Sequence, residues 1–378
     1  MSMSKSKVYF TDFRTKIYGE SLPHKLQRLI KEAGITNIDM EGKTVAIKMH
    51  FGELGNISYL RPNYARAVVD VVKELGGNPF LTDCNTLYPG SRKNAIEHLN
   101  CAWQNGFTPL TVGCPVIIGD GLKGTDDIEV PVEGEYCKSA RIGHAIMDAD
   151  VFISLTHFKG HEETGFGGCL KNIGMGCGSR AGKAHMHNHG TPTIDQEKCR
   201  GCKRCQRECA NSGLQYNEET HKMSINDKNC LGCGRCLGAC NFDAISFKQS
   251  NANVILDAKI AEYTKAVVQD RDNFHISLIV DVSPYCDCHG ENDAPILPNI
   301  GMFASFDPIA LDQACADACL AAKPLENSVL GDNMKDEHFE DHHDHFKNTT
   351  PESEWKSQLS HGEKIGLGSR EYELIEVK

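Results

Sequence analysis

The chain has 378 residues and a mass of 41.7 kDa, room for one large or two medium domains with a full hydrophobic core. With 40% apolar and 24% charged residues it reads as globular, and its net charge of −11 disfavours a nucleic-acid binder held by phosphate contacts. No apolar run approaches the roughly 20 residues that cross a bilayer, and the opening MSMSKSKVYF lacks a stretch of signal-peptide length, so a cytoplasmic location is expected.

The first half reads as α/β. Residues 22–33 place Leu26, Leu29 and Ile30 on one helical face, and residues 62–75 repeat Ala65, Val68, Val69 and Val72 before a Gly76-Gly77 stop. The runs TVAIKM (44–49), NPFLTD (78–83), CPVIIGD (114–120) and VFISLTH (151–157) suit buried parallel strands. Polar groups follow these strands: Lys48, His50 and Glu53 after the first, Asp83-Cys84-Asn85 after the second, His157, Lys159 and His161 after the fourth. In a parallel sheet they share its carboxyl edge, where such folds bind ligands. The glycine-rich stretch from His161 to His189 reads as a loop. Its Gly165, Gly167, Gly168, Gly174, Gly176 and Gly178, with Lys171, Arg180 and Lys183, could cradle a phosphate or carboxylate, although the spacing fits neither a P-loop nor GxGxxG. Alternatively, His185, His187 and His189 would project to one side of an extended chain as metal ligands.

The strongest signal follows. Cys199, Cys202, Cys205 and Cys209, then Cys230, Cys233, Cys236 and Cys240, each read C-x2-C-x2-C-x3-C, offset by 31 residues. This is the bacterial two-cluster ferredoxin spacing, in which the fourth cysteine of one run ligates the other cluster. Two [4Fe-4S] clusters are expected, one on Cys199, Cys202, Cys205 and Cys240, the other on Cys230, Cys233, Cys236 and Cys209. Structural zinc also takes four thiolates, but it usually uses two CxxC pairs rather than three tandem cysteines plus one. Ala210 and Asn241 stand where the usual motif has Pro, a departure that removes no ligand. The intervening SGLQYNEETHKMSIN alternates like a short hairpin. Residues 191–248 carry nine Lys/Arg and seven Asp/Glu, net +2 in a chain of −11.

Beyond the module, residues 252–270 read as helix, 274–282 as strand, and 308–322 as a helix capped by Asp307 with Pro308 at its first position. Cys286, Cys288 and His289 could bind metal or form a redox pair, whereas Cys84, Cys101, Cys114, Cys137, Cys315 and Cys319 read as small buried residues. The acidic tract at 332–346, with His338, His342, His343 and His345, reads as a solvated helix with a weaker metal-binding reading. The fold class expected is therefore a layered, mostly parallel α/β sheet domain (1–190 and 250–378) with an inserted ferredoxin-like α+β module (191–249).

The segments KVYF, VAIKMHFGE, FKGHEETGFGGCLKNIGMGC, DVSPYCDC, ASFDPIALDQAC and GLGSREYELIEV resemble the prokaryotic domain of unknown function three-six-two. That family consists of uncharacterised iron–sulfur centre proteins, commonly with an inserted two-cluster ferredoxin. The resemblance implies a cluster-binding, redox-active protein. The stretch His161-x3-Gly165-Phe166-Gly167-Gly168-x2-Lys171, with His187 sixteen residues later, is similar to the active-site stretch of lactate racemase. That similarity implies Lys171 as the anchor of a nickel-pincer cofactor, His187 as a nickel ligand and His161 as the acid/base, with His50 a candidate second histidine. The leading expectation is an oxidoreductase or electron-transfer protein. A cytoplasmic redox partner supplies electrons through the insert to an anionic small molecule held by Lys48, His50, Lys159, Gly167 and Gly168, with His161, Lys171 and His187 as catalytic candidates. No nucleic acid or membrane partner is expected. The alternatives are a racemase- or lyase-like enzyme with structural clusters, and a non-catalytic carrier.

Overall fold

Strands covered on both faces read as unbroken apolar runs, and five such runs become adjacent strands of one eight-stranded sheet. The computed structural model describes residues 5–15, 18–88, 90–187, 191–207, 209, 211–230, 236, 240, 242, 244–247, 252–340 and 343–378. The chain begins with β1 (Ser6–Asp12), α1 (Leu22–Glu32), β2 (Thr44–Lys48), α2 (Pro62–Glu74), β3 (Asn78–Asp83), α3 (Ala95–Gln104) and β4 (Val116–Ile118). A hairpin of β5 (Asp127–Pro131) and β6 (Ser139–Gly143) leads to β7 (Val151–His157), a second hairpin of β8 (Lys159–His161) and β9 (Gly165–Gly167), then α4 (Cys169–Cys177) and α5 (Arg180–His187). Four short strands follow: β10 (Pro192–Ile194), β11 (Leu214–Asn217), β12 (Lys222–Ile225) and β13 (Ile245–Phe247). The chain ends with α6 (Ala252–Val268), β14 (Asp272–Ile279), β15 (Gly301–Ser305), α7 (Pro308–Ala321), α8 (Lys356–Lys364) and β16 (Tyr372–Glu376).

The sheet order is β16-β1-β15-β14-β7-β2-β3-β4. All pairings from β14 to β4 are parallel, so their carboxyl ends share one edge. β15 runs antiparallel to β14 and β1, and β16 lies parallel to β1. Alternate residues feed two cores. Val45 and Ile47 of β2, Ile153 and Leu155 of β7, and Ile276 and Leu278 of β14 pack with α1 and α2 on one side. Ala46, Phe152 and Phe303 face the other side, against α4, α6 and α7. The result is a three-layer α/β/α sandwich. Ser21 caps α1, its Oγ accepting from His24 N, and Asp307 caps α7 by accepting from the Ile309 and Ala310 amides.

The glycine-rich stretch departs from its expected loop form: it folds as the β8–β9 hairpin followed by two helices. A Cβ on Gly174 would sit 2.2 Å from the Ile260 carbonyl oxygen, so this glycine lets α4 and α6 touch backbone to backbone. Because residues 180–187 are helical, His185 and His187 stand about 200° apart around the axis and do not project together. His189 lies outside the described residues.

Between α5 and α6, β10 pairs antiparallel with β13, and β11 with β12 in the hairpin expected from the alternation, Leu214 facing Ile225 and Gln215 facing Ser224. Leu214, Met223, Ala244 and Ile245 gather with Cys199 and Cys205 in a small third core. Among the described residues, no helix is long and apolar enough to cross a membrane.

Candidate functional site

β2 connects onward to β3 on one side, while β7 returns to the other side of β2. The order therefore reverses between β2 and β7, and the crevice beyond their carboxyl ends is where such sheets bind ligands. The strand ends fill it with charge. Lys48 is almost fully buried, its Nζ 3.0 Å from Asp83 Oδ1 and 2.9 Å from Asn172 Oδ1. Burial works to raise the Asp83 pKa, but Lys48, Lys183 and Arg92 outweigh it and hold the carboxylate below its ordinary range.

Arg92 is the centre of this network. Its Nε donates to Glu53 Oε2 at 3.0 Å, one terminal nitrogen lies 3.0 Å from His50 Nε2, and the other donates to the Tyr88 hydroxyl at 2.9 Å. His50 Nδ1 accepts from the Gly52 amide. Burial first, then Arg92, Lys159, Lys48 and Lys171, push the His50 pKa well below its usual value, so the ring is neutral. In this setting His50 is a neutral polar group.

The loop after β14 closes the other wall. Asp287 is fully buried, with both oxygens 2.9 Å from His157 Nδ1 and one 3.4 Å from Lys159 Nζ. Its carbonyl accepts from the Glu53 amide, so one residue ties the ends of β7 and β2 to this loop. Beside it, Cys286 Sγ lies 3.6 Å from Lys171 Nζ, with Cys288 and His161 as neighbours. The neighbouring Cys286, aided by Lys171 and Arg92 against burial, draws the Cys288 thiol below its ordinary pKa. Burial works to lower the Lys171 pKa, but Cys286, Cys288, Glu162 and Glu163 raise it above the usual lysine value, so Lys171 is a firm cation. His161 Nδ1 accepts from the Glu163 and Thr164 amides. Its proton therefore sits on Nε2, which faces Glu162 and Cys286.

Lys48, His50, Lys159, His161 and Lys171 thus gather in one cluster beyond the carboxyl ends of β2 and β7, with Lys48, Lys159 and His161 buried. The glycines lie beside it. A Cβ on Gly167 would press on the Lys159 ammonium end, and one on Gly168 on the Asp312 carboxylate. Asp312 accepts from the Cys169 and Leu170 amides, so the first turn of α4 is satisfied by the chain's own carboxyl group, whose pKa burial raises to about 7. His187 closes α5, two residues past His185, whose Nδ1 is 2.9 Å from the Tyr263 hydroxyl of α6. Sequence reasoning missed Arg92, Asn172, Glu162 and Asp287. Asp287 had a signal, since it stands between the two cysteines already singled out.

The cysteine module forms the second candidate centre. Cys199 and Cys205 are buried, Cys202 is exposed, Cys209, Cys230, Cys236 and Cys240 are half-buried, and Cys233 lies outside the described residues. Burial first, then Cys202, Cys240 and Cys199, push the Cys205 thiol up to about 11. Backbone amides point at sulfur: Gly213 N donates to Cys209 Sγ at 3.1 Å and Met223 N to Cys199 Sγ at 3.5 Å. Mutually crowded thiols, inward amides and an apolar surround are the donor chemistry that an iron–sulfur cluster uses, because the metal relieves the repulsion that raises such a thiol. Of the other cysteines, Cys84, Cys101, Cys114, Cys137, Cys315 and Cys319 are buried, as small core residues would be. In the tail, the helical turns Val329–Asn333 and His345–Thr349 bound the acidic tract, the described residues between them are not helical, His338 is exposed, and His342 lies outside the described residues.

Residues 45–317 match the family described as Domain of unknown function (DUF362). A thylakoid-associated protein of Synechocystis sp. is 28% identical over 171 residues, 44% of this chain and 49% of that protein, so the chain spans about half the length of the curated relative it matches. Among solved structures, the lactate racemase apoprotein of Thermoanaerobacterium thermosaccharolyticum aligns with 14% identity and a TM-score of 0.34, covering 68% of this chain and 49% of that one. A Thermotoga maritima protein aligns with 12% identity and a TM-score of 0.39, covering 79% and 57%. Likeness at this level carries no argument about chemistry.

Proposed function

The chain belongs to the DUF362 family, and on that footing we propose that it is an iron–sulfur oxidoreductase or electron-transfer protein. In this reading residues 191–249 are a ferredoxin-like insert. Cys199, Cys202, Cys205 and Cys240 hold one [4Fe-4S] cluster, and Cys230, Cys233, Cys236 and Cys209 hold the other. When bound, such clusters store and pass single electrons. The observation that carries the reading is the crowding of Cys205 by Cys202, Cys199 and Cys240, since Cys240 belongs to the other quartet and crossed ligation requires that meeting.

The host sheet supplies the other half. Lys48, Lys159 and Lys171, with Arg92, line the crevice at the β2/β7 reversal and fit an anionic small molecule; a cytoplasmic partner is the electron source in this reading. His161 presents an Nε2 proton at the same wall, suited to donation as negative charge develops on that molecule. Asp287 and Asn172 keep the cations in place, and the neutral His50 adds no competing charge.

Anaerobic purification tests this directly. The protein should carry about eight iron and eight sulfide per chain, with visible absorption that bleaches on dithionite, as two four-iron clusters require. Cys205→Ser should lose about half of that iron while far-ultraviolet circular dichroism stays unchanged. A colourless chain holding stoichiometric zinc on four sulfurs would sink the proposal. Intact-mass analysis of the peptide bearing Lys171 separates the racemase-like alternative, which requires a covalent adduct on that lysine.

A further inference from the structure

Where the loop after β14 meets the β8–β9 hairpin, three residues of different donor type converge. Glu162, Cys288 and His289 each bring one ligating atom, and the three atoms lie within 4.8 Å of one another. His289 Nε2 stands 2.8 Å from Glu162 Oε1. Glu162 Oε2 is buried without a hydrogen bond, with His161 Nε2 3.8 Å away. A buried carboxylate oxygen without a donor asks for a partner, and a cation between the loops would supply one.

We propose that Glu162, Cys288 and His289 form a mononuclear site for a divalent cation of the zinc class, with the fourth position left for water or an anionic ligand. The donor set selects the metal. A thiolate disfavours magnesium and calcium, whereas thiolate, imidazole and carboxylate together suit zinc. The number of ligands selects the role: structural zinc is closed by four protein ligands, while three with an open position is the layout of a site that binds or activates something. The size fits as well. Zinc bonds of about 2.0–2.3 Å set tetrahedral ligand atoms roughly 3.3–3.6 Å apart, so the His289–Glu162 contact would open by about half an ångström. The His289 and Glu162 side chains are 29% and 34% exposed, which leaves a path for the ion and its ligand. Two anionic ligands offset the ion's charge, and Lys171, at the Cys286 side, would hold an anion over the open position. The site uses host loops alone and stands or falls independently of the clusters.

The test uses the full chain, purified anaerobically and then loaded with zinc sulfate and desalted. Elemental analysis should find about one zinc per chain in addition to the iron, and zinc-edge X-ray absorption should show one sulfur with nitrogen and oxygen neighbours. Cys288→Ser and His289→Ala should each lower zinc retention at least tenfold, with iron, sulfide and circular dichroism unchanged. Absence of retained zinc, a four-sulfur shell, or retention indifferent to both substitutions would overturn the proposal. Zinc in a mixed shell on a chain without iron would leave it standing and remove the cluster reading instead.

Discussion

Replacing Lys48 by Met deletes one charge of an ion pair that is almost wholly shielded from water. Nζ lies 3.0 Å from Asp83 Oδ1, and the two side chains are 1% and 4% exposed. At an effective dielectric of about 20, charges at that distance attract by about 5 kcal/mol. Met conserves most of the volume, so the loss is electrostatic rather than a cavity. Three groups remain near Asp83, Lys183 among them. Arg92 stands 3.8 Å from Oδ2, and His98 at the same distance, but burial pushes the His98 pKa down to about 3, so it brings no charge at neutral pH. With Arg92 and Lys183 left as partial compensation, the expected loss is about 3 kcal/mol, the lower end for breaking a buried pair from one side. Urea unfolding at pH 7, run anaerobically, measures it. Lys48→Met combined with Asp83→Leu should cost less than the sum of the single changes by at least about 1.5 kcal/mol, because the double variant leaves no stranded carboxylate. A single-variant loss below about 1 kcal/mol, or simple additivity, would refute the pairing as drawn.

Acid should weaken the fold through its buried histidines. Burial lowers the pKa of His275 and of His98 to about 3. The unfolded chain takes up each proton near about pH 6.5, so the stability is intact above that value and drains as pH falls towards 3. His275→Asn should reduce the fall in unfolding free energy between pH 7 and pH 5 by about 2 kcal/mol; an unchanged slope would mean that His275 is already protonated or exposed. Gly174→Ala should destabilise by about 1–3 kcal/mol through the clash with Ile260, seen as earlier urea unfolding. A variant as stable as the parent would show that α4 and α6 stand further apart.

Much of the sheet was legible because its middle strands are apolar on both faces, a pattern that needs no partner to be seen. β1 and β16 were harder: Lys7, Glu373 and Glu376 interrupt them, and their strand character comes from pairing across the whole length of the chain. The crevice was half legible. Lys48, His50, Lys159 and His161 follow apolar runs directly, so a parallel sheet gathers them. Arg92 follows a turn rather than a strand, and nothing local says that its guanidinium reaches Glu53, His50 and Tyr88 together. The glycine-rich stretch misled because glycine serves two ends. Frequent glycine looks like a flexible anion cradle, yet Gly174 and Gly168 are small in order to let α6 and Asp312 come close.

The pairing of β10 with β13 has a consequence for how such a protein could have arisen. Residues 194 and 245 are cross-strand neighbours, so the segment between them begins and ends across a gap of about 5 Å. A tight two-residue turn could bridge that gap in an ancestor without the intervening fifty-residue unit. Gaining or losing the segment there would leave the strand order of the eight-stranded sheet unchanged, since none of its strands lies between residues 194 and 245.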